Sequence, residues 1–430
     1  MERFLMKKLK EWKEKKDRKP LLLTGARQVG KTWLMKEFGK NDFEQTVYIN
    51  FDKDTRFHDV FERTLDPKMI ISAIQLIYSL EVSPEGTLII FDEIQEEPRA
   101  LASLKYFCEE APEYAIISAG SFMGIALRHG TTFPVGKIDR MELFPLSFRE
   151  FLLAEGKRGL CDLLDSSDPD AICTMKSLYI EALREYYVVG GMPEVVHGYI
   201  VSKDFKQSRE KQQALLDFYK QDFAKHAQAV MVPRLYQIWD AIPGQLAKEN
   251  RKFIFGQIEK GARLKDFETA IEWLKDCGLI YMVHRVKKPG IPLKMYEELS
   301  AFKIFLLDIG LLGALGNLSP EAIIDSNRLF TEFKGAITEQ YVLQQLISDM
   351  GIRPMYFSAE NSKGELEFLF QKGTELIPIE VKTKENLKAK SLKAFVDKYE
   401  ISQGVRISMS DYRKQDWLVN LPLYAFMTLL

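Results

Sequence analysis

Residues 25–32 read Gly25-Ala26-Arg27-Gln28-Val29-Gly30-Lys31-Thr32, a complete G-x-x-x-x-G-K-[ST] pattern between apolar Leu21-Leu22-Leu23-Thr24 and the helix-forming Trp33-Leu34-Met35-Lys36-Glu37-Phe38. Strand, glycine-rich loop and helix in that order commit the chain to an α/β sheet with the loop at a strand's C-terminal end. The loop is built for phosphate. Glycines let backbone N–H groups curl around a β-phosphate, Lys31 reaches the β/γ oxygens, and the Thr32 hydroxyl can ligate Mg²⁺. ATP with Mg²⁺ is the expected ligand.

Hydrolysis needs carboxylates at a second strand end, and Thr87-Leu88-Ile89-Ile90-Phe91-Asp92-Glu93 has that form. Asp92 is expected to hold Mg²⁺ and Glu93 to polarise the attacking water. The strand Tyr114-Ala115-Ile116-Ile117-Ser118-Ala119-Gly120-Ser121 ends in small polar residues, and Ser121 is the candidate sensor of the γ-phosphate. Thr46-Val47-Tyr48-Ile49-Asn50-Phe51-Asp52 reads as another strand, so strands and helices alternate as a parallel sheet requires.

These stretches resemble the AAA-type ATPases of bacteria and archaea. The resemblance extends to Phe91-Asp92-Glu93-Ile94-Gln95, to Met141-Glu142-Leu143-Phe144-Pro145-Leu146-Ser147-Phe148-Arg149-Glu150-Phe151, and to Gly190-Gly191-Met192-Pro193-Glu194. In the branch carrying the last two, a C-terminal domain of unknown function resembling a restriction-endonuclease fold follows the ATPase. Arg128 and Arg140 are the arginine-finger candidates, against ordinary surface or salt-bridging roles.

A chain of 430 residues has room for about three cores, and a formal net charge of −1 leaves any nucleic-acid contact to a local basic face. No apolar run approaches the ~18 residues that cross a bilayer. The basic amphipathic start, Met1–Lys13, lacks a signal peptide's apolar core, so a cytoplasmic protein without membrane partners is expected. Cys108, Cys161, Cys173 and Cys277 fit reduced thiols, and five dispersed histidines offer no metal cluster.

Residues 156–245 read as helical, interrupted by Gly190-Gly191-Met192-Pro193, either a hinge or a helix-terminating loop. Beyond them, the helix Leu264–Leu274 and the strand Leu279–Val283 suggest a winged helix-turn-helix, its hairpin turning at Lys287-Lys288-Pro289-Gly290 into Leu293–Tyr296. Arg263, Lys265, Arg285, Lys287 and Lys288 would then meet DNA phosphates, with Glu268 and Glu272 opposing them.

Near the C-terminal end, Glu365-Leu366-Glu367-Phe368-Leu369-Phe370 and Leu376-Ile377-Pro378-Ile379-Glu380-Val381-Lys382 are apolar strands carrying charge, preceded by the helix Gly335–Leu343. Residues two apart on a strand share a face. Glu367, Glu380 and Glu339 could therefore surround one Mg²⁺ or Mn²⁺ with Lys382 activating water: Glu367 and Glu380 as ligands, Glu339 assisting. The pattern is similar to the PD-(D/E)xK nuclease superfamily, with Glu367 where that superfamily usually has Asp.

The expected fold class is α/β: a P-loop AAA-type core with a parallel sheet (1–155), a helical lid (156–245), a winged-helix-like domain (246–315) and a PD-(D/E)xK nuclease-like α/β domain (321–430). The expected function is prokaryotic: ATP hydrolysis coupled to a nuclease-like domain acting on DNA, compatible with a homo-oligomer. The alternative is an ATP-dependent switch that binds DNA or a protein partner without cutting.

Overall fold

The computed structural model describes residues 1–120, 134–247, 252–324, 331–359, 364–383 and 389–430. Ser121 and Arg128 lie outside them. Contacts divide the chain into two units, one of Glu2–Phe144 with Asp276–Leu279, the other of Pro145–Lys275 with Ile280–Leu430.

In the N-terminal unit, five strands form a sheet: β1 (Leu21–Thr24), β2 (Gln45–Asn50), β3 (Thr87–Asp92), β4 (Ala115–Ala119) and β5 (Asp139–Glu142). The order is β2-β3-β4-β1-β5, every neighbour parallel. β3 and β4 are buried along their whole length, which is why they read as unbroken apolar runs: a parallel sheet is covered on both faces. Phe51, Phe61 and Phe91 meet edge-on in the core on one side. The ends of β1 and β3, carrying the glycine-rich loop and the two acids, open to the same edge of the sheet, where α/β folds bind ligands.

The second unit is built on one eight-stranded mixed sheet. Its strands are β6 (Ile280–Val286), β7 (Glu297–Leu306), β8 (Met355–Ser358), β9 (Glu365–Lys372), β10 (Glu375–Val381), β11 (Gly404–Ser408), β12 (Arg413–Lys414) and β13 (Leu418–Pro422), in the order β12-β13-β11-β10-β9-β8-β6-β7. The parallel pairing of β6 with β8 makes the β6–β7 hairpin continuous with the strands that follow it. Strand β7 begins at Glu297 and not in Leu293–Tyr296, which forms a 3₁₀ turn. There Gln371 Oε1 takes the Leu293 N–H at 2.8 Å, and the Tyr296 ring lies so close to Gly290 that a Cβ would sit 2.5 Å from it.

The helix Thr331–Ser348 presents three buried glutamines to backbone that leaves the sheet. Gln340 exchanges hydrogen bonds with both the N–H and the C=O of Leu306, Gln344 accepts from Ile309 N–H, and Gln345 accepts from Phe148 N–H. Buried backbone groups need such partners where a ladder stops.

Gly190 ends the helix Lys176–Val189 at φ 71°, and Pro193 opens the next helix. Asp308, fully buried, accepts from Gly191 N–H at 2.6 Å, Leu311 N–H at 3.0 Å and Gln344 Nε2 at 3.1 Å. Burial still pushes its carboxyl above the usual range. A Cβ on Gly191 would stand 2.2 Å from Leu146 O. Gly191→Ala is therefore expected to cost about 2–4 kcal/mol, read as a lower urea midpoint, and an unchanged midpoint would refute this packing argument.

Candidate functional site

The glycine-rich loop curls because three of its residues have positive φ: Gly25 at 140°, Gln28 at 64° and Gly30 at 96°. At Gly25 space adds a second demand, since a Cβ would lie 2.2 Å from Leu143 O in the segment after β5. Arg3, buried ahead of the first helix, braces the loop from outside by donating from Nη1 to Val29 O at 3.0 Å. With Gly30 as the cap, Lys31 opens the helix Lys31–Asp42.

The Lys31 ammonium is buried and donates to Gly25 O and Ala26 O, each at 2.8 Å, so it is held at the mouth of its own loop. Burial pushes its pKa down to about 8, against the opposing pull of Glu93 and Asp92. Thr32 Oγ1 donates to Asp92 Oδ2 at 2.8 Å. That bond brings the loop after β1 together with the end of β3. Asp92 is buried, its Oδ1 takes the Glu93 N–H at 3.1 Å, and Tyr48 OH donates to Oδ2 at 2.8 Å. Glu93 stands in the left-handed region at φ 52°, a conformation that costs a non-glycine residue about 1 kcal/mol or more and clusters at functional sites. Its Oε2 accepts from Gln95 Nε2 at 2.7 Å.

This donor set fits a Mg²⁺–nucleotide. A hydroxyl and a carboxylate are hard oxygen ligands of the kind Mg²⁺ takes while its other positions go to phosphate and water. Tyr48, Asn50 and Arg3 have no part in the sequence motif. Only the alternation of buried Val47 and Ile49 signals that Tyr48 and Asn50 share the other face of β2. Arg140 lies exposed on β5.

On the C-terminal sheet, the antiparallel ladder of β9 and β10 ends at the pair Ile379 and Phe368, and Glu380 and Glu367 each lie one residue beyond that pair. Glu367 Oε2 accepts the Val381 N–H at 3.0 Å, and Lys382 Nζ lies 3.2 Å from Glu380 Oε1. Glu380 is only 2% exposed. Burial holds it above the usual carboxylate range, Lys382 opposing that push and Glu367 adding to it. Glu339 is drawn elsewhere: it faces Lys303, whose buried ammonium is 3.9 Å from it and 2.6 Å from Glu365. Among the described residues no group of three or more His, Cys, Asp or Glu is placed to hold a metal, so the three-carboxylate set expected from Glu367, Glu380 and Glu339 is not brought together. Of the five basic residues expected at a DNA backbone, Arg285 and Lys287 are both engaged by Glu298, at 2.7 and 3.4 Å; Arg263, Lys265 and Lys288 are exposed.

The N-terminal unit thus combines a parallel five-stranded sheet, a phosphate loop and a hydroxyl–carboxylate pair, and it is an AAA-type P-loop ATPase domain: residues 17–152 match the family described as AAA domain. Residues 180–322 and 334–426 match two domains of unknown function, DUF8612 and DUF4143. Among solved structures, the chain is similar to a Walker-type ATPase of Pyrococcus abyssi at 18% identity and TM-score 0.45, covering 72% of this chain and 94% of that one. It is also similar to the Aeropyrum pernix ORC1 protein in complex with DNA (12%, TM-score 0.26, 73% and 90%) and to Cdc6p from Pyrobaculum aerophilum (12%, TM-score 0.23, 73% and 89%). No curated protein matches. Among the described residues no helix is long and apolar enough to cross a membrane.

Proposed function

We propose that the N-terminal unit binds ATP with Mg²⁺ and hydrolyses it, and that turnover is coupled to a nuclease-like C-terminal unit acting on DNA. The observation that carries the ATPase reading is the 2.8 Å bond from Thr32 to Asp92, which joins the phosphate loop to the acidic strand end. Bound Mg²⁺ supplies charge neutralisation at the β/γ oxygens. Thr32 and Asp92 would hold it, and the loop amides of residues 25–32 would wrap the phosphates. Lys31 would exchange its two carbonyl partners for phosphate oxygens, and Glu93 would accept the proton of the attacking water.

For the C-terminal unit, the support is Glu367 and Glu380, each one residue beyond the last pair of the β9–β10 ladder, with Lys382 beside Glu380. Glu367 and Glu380 would hold Mg²⁺ or Mn²⁺, whose chemistry there would be Lewis-acid polarisation of a phosphodiester, with Lys382 activating the water. The expected result is cleavage of linear or single-stranded DNA that requires one of these metals, responds to ATP, and falls about 100-fold or more in Glu380→Ala. A second reading, a switch that holds DNA or a protein partner without cutting, is favoured by the deep burial of Glu380 and the turn of Glu339 toward Lys303. ATP hydrolysis with DNA retained and never cut would establish that reading and remove the nuclease.

A further inference from the structure

We propose that Tyr48 is a positioning residue for the divalent cation of the nucleotide site, acting through Asp92. The inference rests on reading that site as one for ATP and Mg²⁺.

Strands β2 and β3 run parallel with Tyr48 beside Ile90 and Asn50 beside Asp92, so Tyr48 sits two positions short of the acid and its long phenol reaches forward to it. The hydroxyl donates to Asp92 Oδ2, the oxygen that also takes the Thr32 hydroxyl, both at 2.8 Å. With Glu93 N–H on Oδ1, three donors leave the carboxylate one orientation. Asn50 Nδ2 donates into the phenol oxygen at 3.2 Å, which directs the phenol's own proton to Asp92. The ring is pinned as well: Lys36, on the helix that follows the phosphate loop, places its ammonium 3.6 Å from the ring centroid.

Thr32 cannot orient Asp92 alone. Its hydroxyl sits on the loop that receives the phosphates and must itself serve the cation, whereas Tyr48 belongs to the sheet and is independent of ligand. Partners that orient metal-binding carboxylates typically contribute about 10–100-fold in metal affinity. Tyr48→Phe removes the donor and keeps the ring beneath Lys36.

The test is titration of the full-length protein with a fluorescent ATP analogue, first in excess EDTA and then at fixed nucleotide against rising Mg²⁺, with free Mn²⁺ followed by electron paramagnetic resonance as a direct metal readout. In Tyr48→Phe the metal-free affinity is expected to stay within about twofold while the Mg²⁺ and Mn²⁺ midpoints rise about tenfold. Asn50→Ala, which lets the phenol proton turn away, is expected to shift both midpoints in the same direction by less, and it serves equally if Tyr48→Phe does not fold. Unchanged midpoints, or an equal loss of affinity with and without metal, overturn the proposal and leave Tyr48 a packing residue. Failure of the unsubstituted protein to bind the analogue at all would instead sink the nucleotide reading, and this inference with it.

Discussion

Glu93→Gln is expected to lower kcat for ATP hydrolysis about 10²–10⁴-fold while ATP and Mg²⁺ remain bound. The two acids at the end of β3 are not equivalent. Asp92 is buried, with both oxygens committed to Thr32, Tyr48 and the Glu93 N–H. Glu93 is half-buried, and its backbone turn at φ 52° carries the side chain out of the line of the strand. A carboxylate so placed can take a proton; the amide of Gln keeps the shape and the contact with Gln95 but loses that basicity. Turnover and nucleotide titration measured on the same preparation separate the two effects. Hydrolysis at the original rate would show that the proton goes elsewhere.

Lys31→Met should abolish nucleotide binding and make the free protein more stable at pH 7. The loss, about 100-fold or more in affinity, follows from removing the buried ammonium that the loop holds at its mouth. The gain follows from the same burial. In the folded chain Lys31 titrates at about 8 against its ordinary 10.5, so between those values the unfolded chain binds the extra proton and stability rises with pH. Below about pH 8 the full penalty of the buried ammonium is present. Met removes it, for an expected gain of about 1–3 kcal/mol at pH 7, reduced by the two loop carbonyls that lose a donor. Denaturant unfolding at pH 7 and pH 10.5 checks both parts, because the advantage of Met should shrink at the higher pH. A variant less stable than the parent at pH 7 would mean that the carbonyl bonds outweigh desolvation.

Much of the candidate nucleotide site was legible in the chain because a phosphate loop is local chemistry. Eight consecutive residues supply the loop, and one strand supplies both acids. What could not be read was the support. Tyr48 reaches Asp92 from another strand, and Arg3 reaches Val29 from the first residues of the chain. Neither has a spacing to betray it, because the separations are set by the intervening helices and loops and not by a repeat. At the C-terminal sheet, the same-face rule paired Glu380 with Lys382, and the β9–β10 ladder ends one residue short of Glu380 and Glu367. Glu339 shows where the rule stops. A helical acid has no register with a strand, and the buried Lys303 on β7 is its neighbour.

The glutamines of the helix Thr331–Ser348 make the same point about the fold. Gln340, Gln344 and Gln345, which no sequence pattern singled out, are all buried and complete the hydrogen bonds of Leu306, Ile309 and Phe148. Gly190 and Gly191 likewise read as either a hinge or a stop, and their packing on Asp308 and Leu146 is visible only in three dimensions.

By itself, then, the chain's sequence determined the identity of the N-terminal unit, since a phosphate loop between an apolar strand and a helix has few other folds open to it. Strands β6, β9 and β10 of the second sheet were legible too, from patterns that need only near neighbours, whereas β7 was expected at Leu293–Tyr296 and β11, β12 and β13 were not read. Tertiary structure decided which polar groups meet: the second donor on Asp92, the partner of Glu339, and the joining of the β6–β7 hairpin to the C-terminal strands. The physical reason is range. Backbone propensity and alternation act over a few residues, whereas a buried polar side chain must find whatever partner the packed chain brings within about 3 Å.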